Sequence, residues 1–199
     1  MPFDIIEIDL TVDGDAAYAV GDVVFALTEF PLPARSCKII HAFLFAEGTA
    51  INDGLLKCMF FKSNNGGELG SLNGDANISA ANFKLNKCVG EISLLQDNGT
   101  TTQDIDKINN IVMYEMHKGV LADTSGRGGG GNMSLVLKGV EDTSFSHGMY
   151  VSGIQVSGAQ DYGADQTDVK LILHVEYLSL IHISEPTRQE AIGVGRVWV

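Results

Sequence analysis

Histidine is the side chain most readily turned to acid–base work near neutral pH, so its placements bound any catalytic reading first. Of the five histidines, His41, His117, His147 and His174 precede residue 178. His41 lies in the most apolar segment of the chain, Cys37–Phe45 (CKIIHAFLF), and reads as a core residue with one satisfied ring nitrogen. His117 ends a strand-like run, His147 stands in a Ser-His-Gly turn, and His174 sits on the mixed face of the last alternating segment. No pair has the spacing of a His-Glu-x-x-His zinc motif. A Gly-x-Ser-x-Gly nucleophile elbow does not occur, and Ser125-Gly126 and Ser157-Gly158 read as turn pairs. The stretch from Gly126 to Gly131 lacks the lysine and the following helix of a phosphate-binding loop.

Two loops concentrate oxygen ligands of the kind calcium takes: Asp13, Asp15 and Asp22 in one, Asp97, Asn98, Asp104 and Asp106 in the other. Neither matches the calcium-hand pattern, and Asp and Asn also dominate turns for backbone reasons alone. Cys37, Cys58 and Cys88 show no Cys-x-x-Cys or Cys/His ligand spacing and read as reduced, buried packing residues, with a Cys37–Cys58 bridge between neighbouring strands left open. The sequence therefore assigns no catalytic, cofactor-binding or metal-binding residue, and the expectation is a protein that is not an enzyme and carries no cofactor.

The elements that would position any site are β-strands. Phe3 to Val12 alternates, with Ile6, Ile8 and Leu10 on a buried face and Glu7 and Asp9 turned to water. Asp22 to Phe30 is a second strand, stopped by Pro31 and Pro33. The run Cys37–Phe45 has the look of a central strand covered on both faces, and Leu55 to Lys62 of another. Asn64-Asn65-Gly66-Gly67 supplies residues suited to tight turns. Residues 76–87 hold the one plausible short helix, capped by Ser79 and carrying Ala80, Ala81 and Phe83. Cys88 to Leu95, Ile108 to Met116, Met133 to Lys138, Gly148 to Val156 and Asp168 to Tyr177 complete about nine strands. Val169, Leu171, Leu173 and Val175 share one face of the last. The expected fold is all-β, an antiparallel β-sandwich with a jelly roll as one form of it, and at most one short helix. Crossover helices, which a parallel sheet needs, are absent.

The formal net charge of -12 argues against a nucleic-acid surface, and lysines and arginines are scattered. No stretch has the apolar length of a membrane span, and the first ten residues, MPFDIIEIDL, lack the basic region of a signal peptide. Residues 178–188, LSLIHISEPTR, resemble the in-frame translation of a transposase sequencing adapter, residue for residue. The expected organisation is one domain over 1–177 and a non-native tail over 178–199 that adds no strand with a matched apolar face. Removing that tail leaves the net charge unchanged, since Arg188 and Arg196 leave with Glu185 and Glu190. Such read-through points to an environmental shotgun assembly, a metagenome, as the source.

Two segments carry a likeness. FDIIEIDLTVDGDAAYAVGDVVF, with its Tyr-x-x-Gly-Asp-Val step at Tyr18, Gly21, Asp22 and Val23, is one. Leu69-Gly70-Ser71-Leu72-Asn73-Gly74-Asp75-Ala76-Asn77-Ile78-Ser79 is the other. With the long apolar strand between them, they resemble proteins encoded by marine tailed phages, and the likeness spans most of 1–177. The resemblance implies a virion-associated β-sandwich: a capsid decoration protein or a piece of a head or tail fibre. It would assemble in the bacterial host cytoplasm, associate with itself and with other virion proteins, and bind neither nucleic acid nor membrane. Two other classes stay open. A carbohydrate- or receptor-binding fibre module would use the polar loops at Asn64–Gly67 and Asp97–Thr102, though no tryptophan precedes residue 178. A small hydrolytic enzyme would need polar groups converging in a pocket, for which no motif speaks.

Overall fold

The computed structural model describes residues 2–13, 17–47, 54–95, 111–116, 135–140, 143–158, 162 and 169–177. The proposed tail, the glycine-rich loop, His117, Asp15 and the 97–106 loop lie outside the described residues.

The fold is all-β and antiparallel, with nine described strands and one short helix. In chain order these are β1 (Phe3–Leu10), β2 (Val23–Pro31), β3 (Ser36–Glu47), β4 (Leu55–Phe61), α1 (Ala80–Leu85), β5 (Cys88–Leu95), β6 (Ile111–Met116), β7 (Val136–Lys138), β8 (Gly148–Ser157) and β9 (Val169–Tyr177). All nine belong to one sheet, in the order β1-β9-β3-β6-β5-β4-β8-β2, with β7 beside β3. β3 is long enough to serve two neighbours along one edge: β7 pairs with Ser36–Lys38 and β6 with Phe43–Glu47, while β9 takes the other edge. The ends of the sheet, β1 and β2, approach each other without a ladder between them, so the sheet nearly closes into a ring.

The two-residue period of the sequence decides which side chains fill that ring. Ile6, Ile8 and Leu10 of β1 point inward with Val169, Leu171, Leu173 and Val175 of β9. Cys37, Ile39, Ala42, Leu44 and Ala46 of β3 join them, with Leu56, Cys58 and Phe60 of β4 and Ile92 and Leu94 of β5. These form one contiguous core. β3 corrects one expectation: its inner face is covered, but His41, Phe43 and Phe45 point outward and are only half-buried. A register shift between Ile39 and His41 resets the alternation there. An unbroken apolar run does not reveal whether its second face finds a cover.

Between β4 and β5 the chain makes an excursion over the outside of the sheet. Asn86, fully buried, organises its base: its side-chain oxygen accepts from Gly66 N–H at 2.7 Å and its Nδ2 donates to the Gly67 carbonyl at 2.8 Å. Ser79 caps α1 as its sequence position predicts, its Oγ accepting from Asn82 N–H at 3.2 Å. α1 buries no residue completely, but Phe83 meets the fully buried Phe61 of β4 edge-on, with ring centroids 5.6 Å apart. Leu69, Ile78 and Phe83 thereby cover Val23, Leu27, Met59, Phe61, Tyr150 and Ile154 in a second, smaller apolar cluster.

Candidate functional site

The two segments behind the phage likeness dock onto each other. Val23 N–H donates to the Gly74 carbonyl at 2.9 Å, Asn73 N–H to the Val23 carbonyl at 3.0 Å, and Ala76 N–H to the Gly21 carbonyl at 3.0 Å. Gly21 takes a positive φ of 101°, and Asp22 closes its turn by accepting from Ala19 N–H at 2.6 Å. Gly70 is required by close approach: a Cβ there would lie 2.5 Å from the Asp75 carbonyl oxygen. Glu68 adds a further cap, accepting from Leu27 N–H at 2.7 Å. Together the two segments form a clasp over the outer edge of β2.

Tyr18, from the same step, joins the two ends of the sheet. Its hydroxyl accepts from Asp13 N–H, just beyond β1, and donates to the Val24 carbonyl of β2 at 3.2 Å. Its ring lies edge-on to Tyr162 at 5.3 Å, and Tyr162 stacks on Tyr114 at 6.0 Å. Tyr162 donates to Gln155 Oε1 at 2.8 Å. All four side chains are buried. Burial pushes the Tyr114 hydroxyl up to about 12 and the Tyr162 hydroxyl well above the usual phenol range, so both stay protonated donors. This polar cluster inside the ring escaped the sequence reading. The available signal was an aromatic residue, Tyr162, alone in a polar loop.

The histidines fall into two settings. His41 and His174 face each other across β3 and β9 on the outer face, ring centroids 6.2 Å apart. His41 Nε2 lies 3.0 Å from Glu115 Oε1 of β6, and Phe43 packs against both rings, at 4.2 and 5.6 Å. His41 is therefore an outward-face residue tied to a carboxylate, correcting its assignment to the core. His147 stands in the turn before β8, where its carbonyl accepts from Leu32 N–H at 2.7 Å. Among the described residues, no three His, Cys, Asp or Glu side chains converge to hold a metal ion. Of the suggested calcium ligands, Asp22 accepts from Ala19 N–H through its carboxylate, while Asp13 meets Tyr18 through its backbone N–H.

Cys37 and Cys58 are free, buried thiols as expected, whereas Cys88, at the start of β5, is free but exposed, which corrects its reading as a buried packing residue. Burial raises the Cys37 thiol to about 11 and Cys58 further still, which removes both from thiolate chemistry at neutral pH. In the Asn64–Gly67 turn, Gly67 N–H donates to the Asn64 carbonyl and the Gly66 and Gly67 backbones engage Asn86, so these groups face the protein.

Among the described residues, what stays uncovered is the outer face and edge at the other end of the sheet. Phe3 and Ile5 of β1 are 65% and 56% exposed, and Val136 of β7 is 59% exposed. Behind them Ile172, His174, His41, Phe43 and Phe45 form a half-buried aromatic and apolar surface. Glu7 and Asp9 flank it and converge on Lys170 Nζ at 2.9 and 3.5 Å. Comparison of the chain with protein-family models, with curated proteins and with solved structures finds no match.

Proposed function

We propose that the protein is a structural virion component, a capsid decoration protein or a piece of a head or tail fibre, acting through packing and self-association. The uncovered edge and outer face of β1, with Phe3 and Ile5 exposed beside a strand lacking a ladder on its far side, is the observation that carries the assembly part of this reading. The likeness of residues 18–23 and 69–79 to tailed-phage proteins carries the virion part. Both segments serve the clasp over β2, consistent with a shared scaffold whose exposed faces differ from protein to protein. Its partners are further copies of itself and other virion proteins, met during assembly in the bacterial cytoplasm.

The test has two arms. Analytical ultracentrifugation of the purified full chain should give a concentration-dependent oligomer. Mass spectrometry of density-purified virions from the source community should recover its peptides in stoichiometric amounts. A chain that stays monomeric and is missing from those particles overturns the reading.

A further inference from the structure

The geometry points to a second copy of this chain as the partner of the β1 edge, joined by antiparallel pairing of the two β1 strands centred on Ile5. This rests on the assembly reading above and specifies its contact. Tyr177 N–H donates to the Pro2 carbonyl, and the β1–β9 register continues from that pair through Leu10↔Val169. In an antiparallel ladder, alternate residues direct both backbone groups to the same side. Even-numbered residues of β1 therefore bond to β9, and Phe3, Ile5, Glu7 and Asp9 present N–H and C=O to the free edge. One of these donors is already occupied locally, since Asp4 Oδ1 accepts from Ile5 N–H at 2.8 Å. The Tyr18 hydroxyl holds the seam with β2 beyond the C-terminal end of β1, leaving the N-terminal half as the accessible stretch.

Charge narrows the register in which two copies can pair. Only odd residues can face odd residues across a two-fold axis on this edge. Centring on Asp4 sets two Asp4 carboxylates opposite each other, and centring on Glu7 does the same for Glu7. Centring on Ile8 sets Glu7 against Asp9. Centring on Ile6 avoids this but places Phe3 opposite Asp9 and Ile5 opposite Glu7. Centring on Ile5 brings Ile5 against Ile5 and Phe3 over the stem of Glu7, with no carboxylate facing another, and like charges directly opposite destabilise a strand pair. Of these registers, the Ile5-centred one alone sets an outward apolar side chain against itself while keeping every carboxylate from facing another. A neighbouring copy also supplies a strand of matching length and twist. At the opposite end of the sheet, the clasp and Glu68 already engage Val23 and Leu27 of β2.

Pairing exchanges the Asp4 carboxylate on Ile5 N–H for a carbonyl of the second copy. Asp4→Ala should therefore tighten association. The net charge of -12 on each copy opposes it, so added salt should tighten it as well.

The experiment is sedimentation of the full chain with edge-directed variants. Ile5→Pro removes a donor that points away from β9, a substitution edge strands tolerate, and should weaken the dimer by about tenfold or more. Cross-linking provides a second arm that does not depend on proline being accommodated. In a Cys88→Ser background, Ile5→Cys should form a disulfide dimer under mild oxidation, because directly opposed Cα atoms lie about 5.5 Å apart. Glu7→Cys should not, since this register separates the two Glu7 positions by roughly 13 Å. A wild-type dimer unaffected by Ile5→Pro, or cross-linked as readily through Glu7→Cys, overturns the Ile5-centred contact while the assembly reading stands on another surface. A wild type that remains monomeric up to roughly millimolar concentration overturns both.

Discussion

The outer face of the sheet has two halves, built alike and finished differently. Over β2, β8 and β4, the outward side chains Val23, Leu27, Met59, Phe61, Tyr150 and Ile154 lie beneath Leu69, Ile78 and Phe83. Over β1, β9 and β3, the outward side chains Phe3, Ile5, Ile172, Phe43 and Phe45 have no such cover among the described residues. The same contrast holds at the two ends of the sheet. The edge of β2 is clasped by backbone bonds to Asn73 and Gly74 and capped by Glu68, whereas the edge of β1, among the described residues, is met only by Asp4. One half closes within the chain, and the other, among the described residues, does not. Apolar surface on a strand is therefore not in itself a functional signal, and what matters is whether the chain supplies its own cover.

Truncation should separate the two halves most strongly. Phe61→Ala, in the covered half and fully buried, should cost about 3–5 kcal/mol in urea unfolding. Phe3→Ala, in the bare half, should change monomer stability by no more than about 0.5 kcal/mol while weakening association. Equal losses at the two positions would erase the contrast. The base of the excursion between β4 and β5 comes next. Asn86→Ala strands Gly66 N–H and the Gly67 carbonyl, and should lower stability by about 1–3 kcal/mol.

Alkaline unfolding reads the interior apart from both outer faces. The thiol of Cys37 is raised from 9.0 to about 11 and the hydroxyl of Tyr114 from 10.0 to about 12, each chiefly by burial. A raised folded pKa means that the fold retains a proton the unfolded chain gives up. The stabilisation is therefore whole below pH 9 for Cys37 and below pH 10 for Tyr114. It is lost as pH rises towards 11 and 12 respectively, by an amount of about 2–3 kcal/mol for a two-unit shift. Urea midpoints measured across that range should fall, and Tyr114→Phe should flatten the upper part of the decline. The smallest effect is at the cap: Ser79→Ala should cost ~1 kcal/mol by the same unfolding assay, loosening α1 over Phe61 without touching the dimer.

Alternation made β1 and β9 legible in the sequence down to which side chains are buried, because one face of each packs on the core and the other does not. The short helix and its Ser79 cap were legible for a local reason, since an N-cap hydroxyl and its acceptor geometry lie within three residues. Three features were not. β3 is apolar on both parities, so its sequence carries no sign that the outer face with His41, Phe43 and Phe45 lacks a full cover. The clasp joins residues 21–23 to 73–76, and each segment alone looks like an ordinary turn. Tyr162 and Gln155 find Tyr114 only through the ring of strands. The candidate site is of this second kind, because the edge of β1 is defined by which strand fails to pair with it.

Hydrogen–deuterium exchange of the β1 amides, followed as protein concentration is raised, tests that edge most directly. Protection should grow with concentration at Phe3, Ile5 and Glu7, whose N–H groups face outward, while Ile6 and Ile8 stay protected throughout by β9. Exchange at Phe3, Ile5 and Glu7 that is independent of concentration in a chain that demonstrably self-associates would contradict the account.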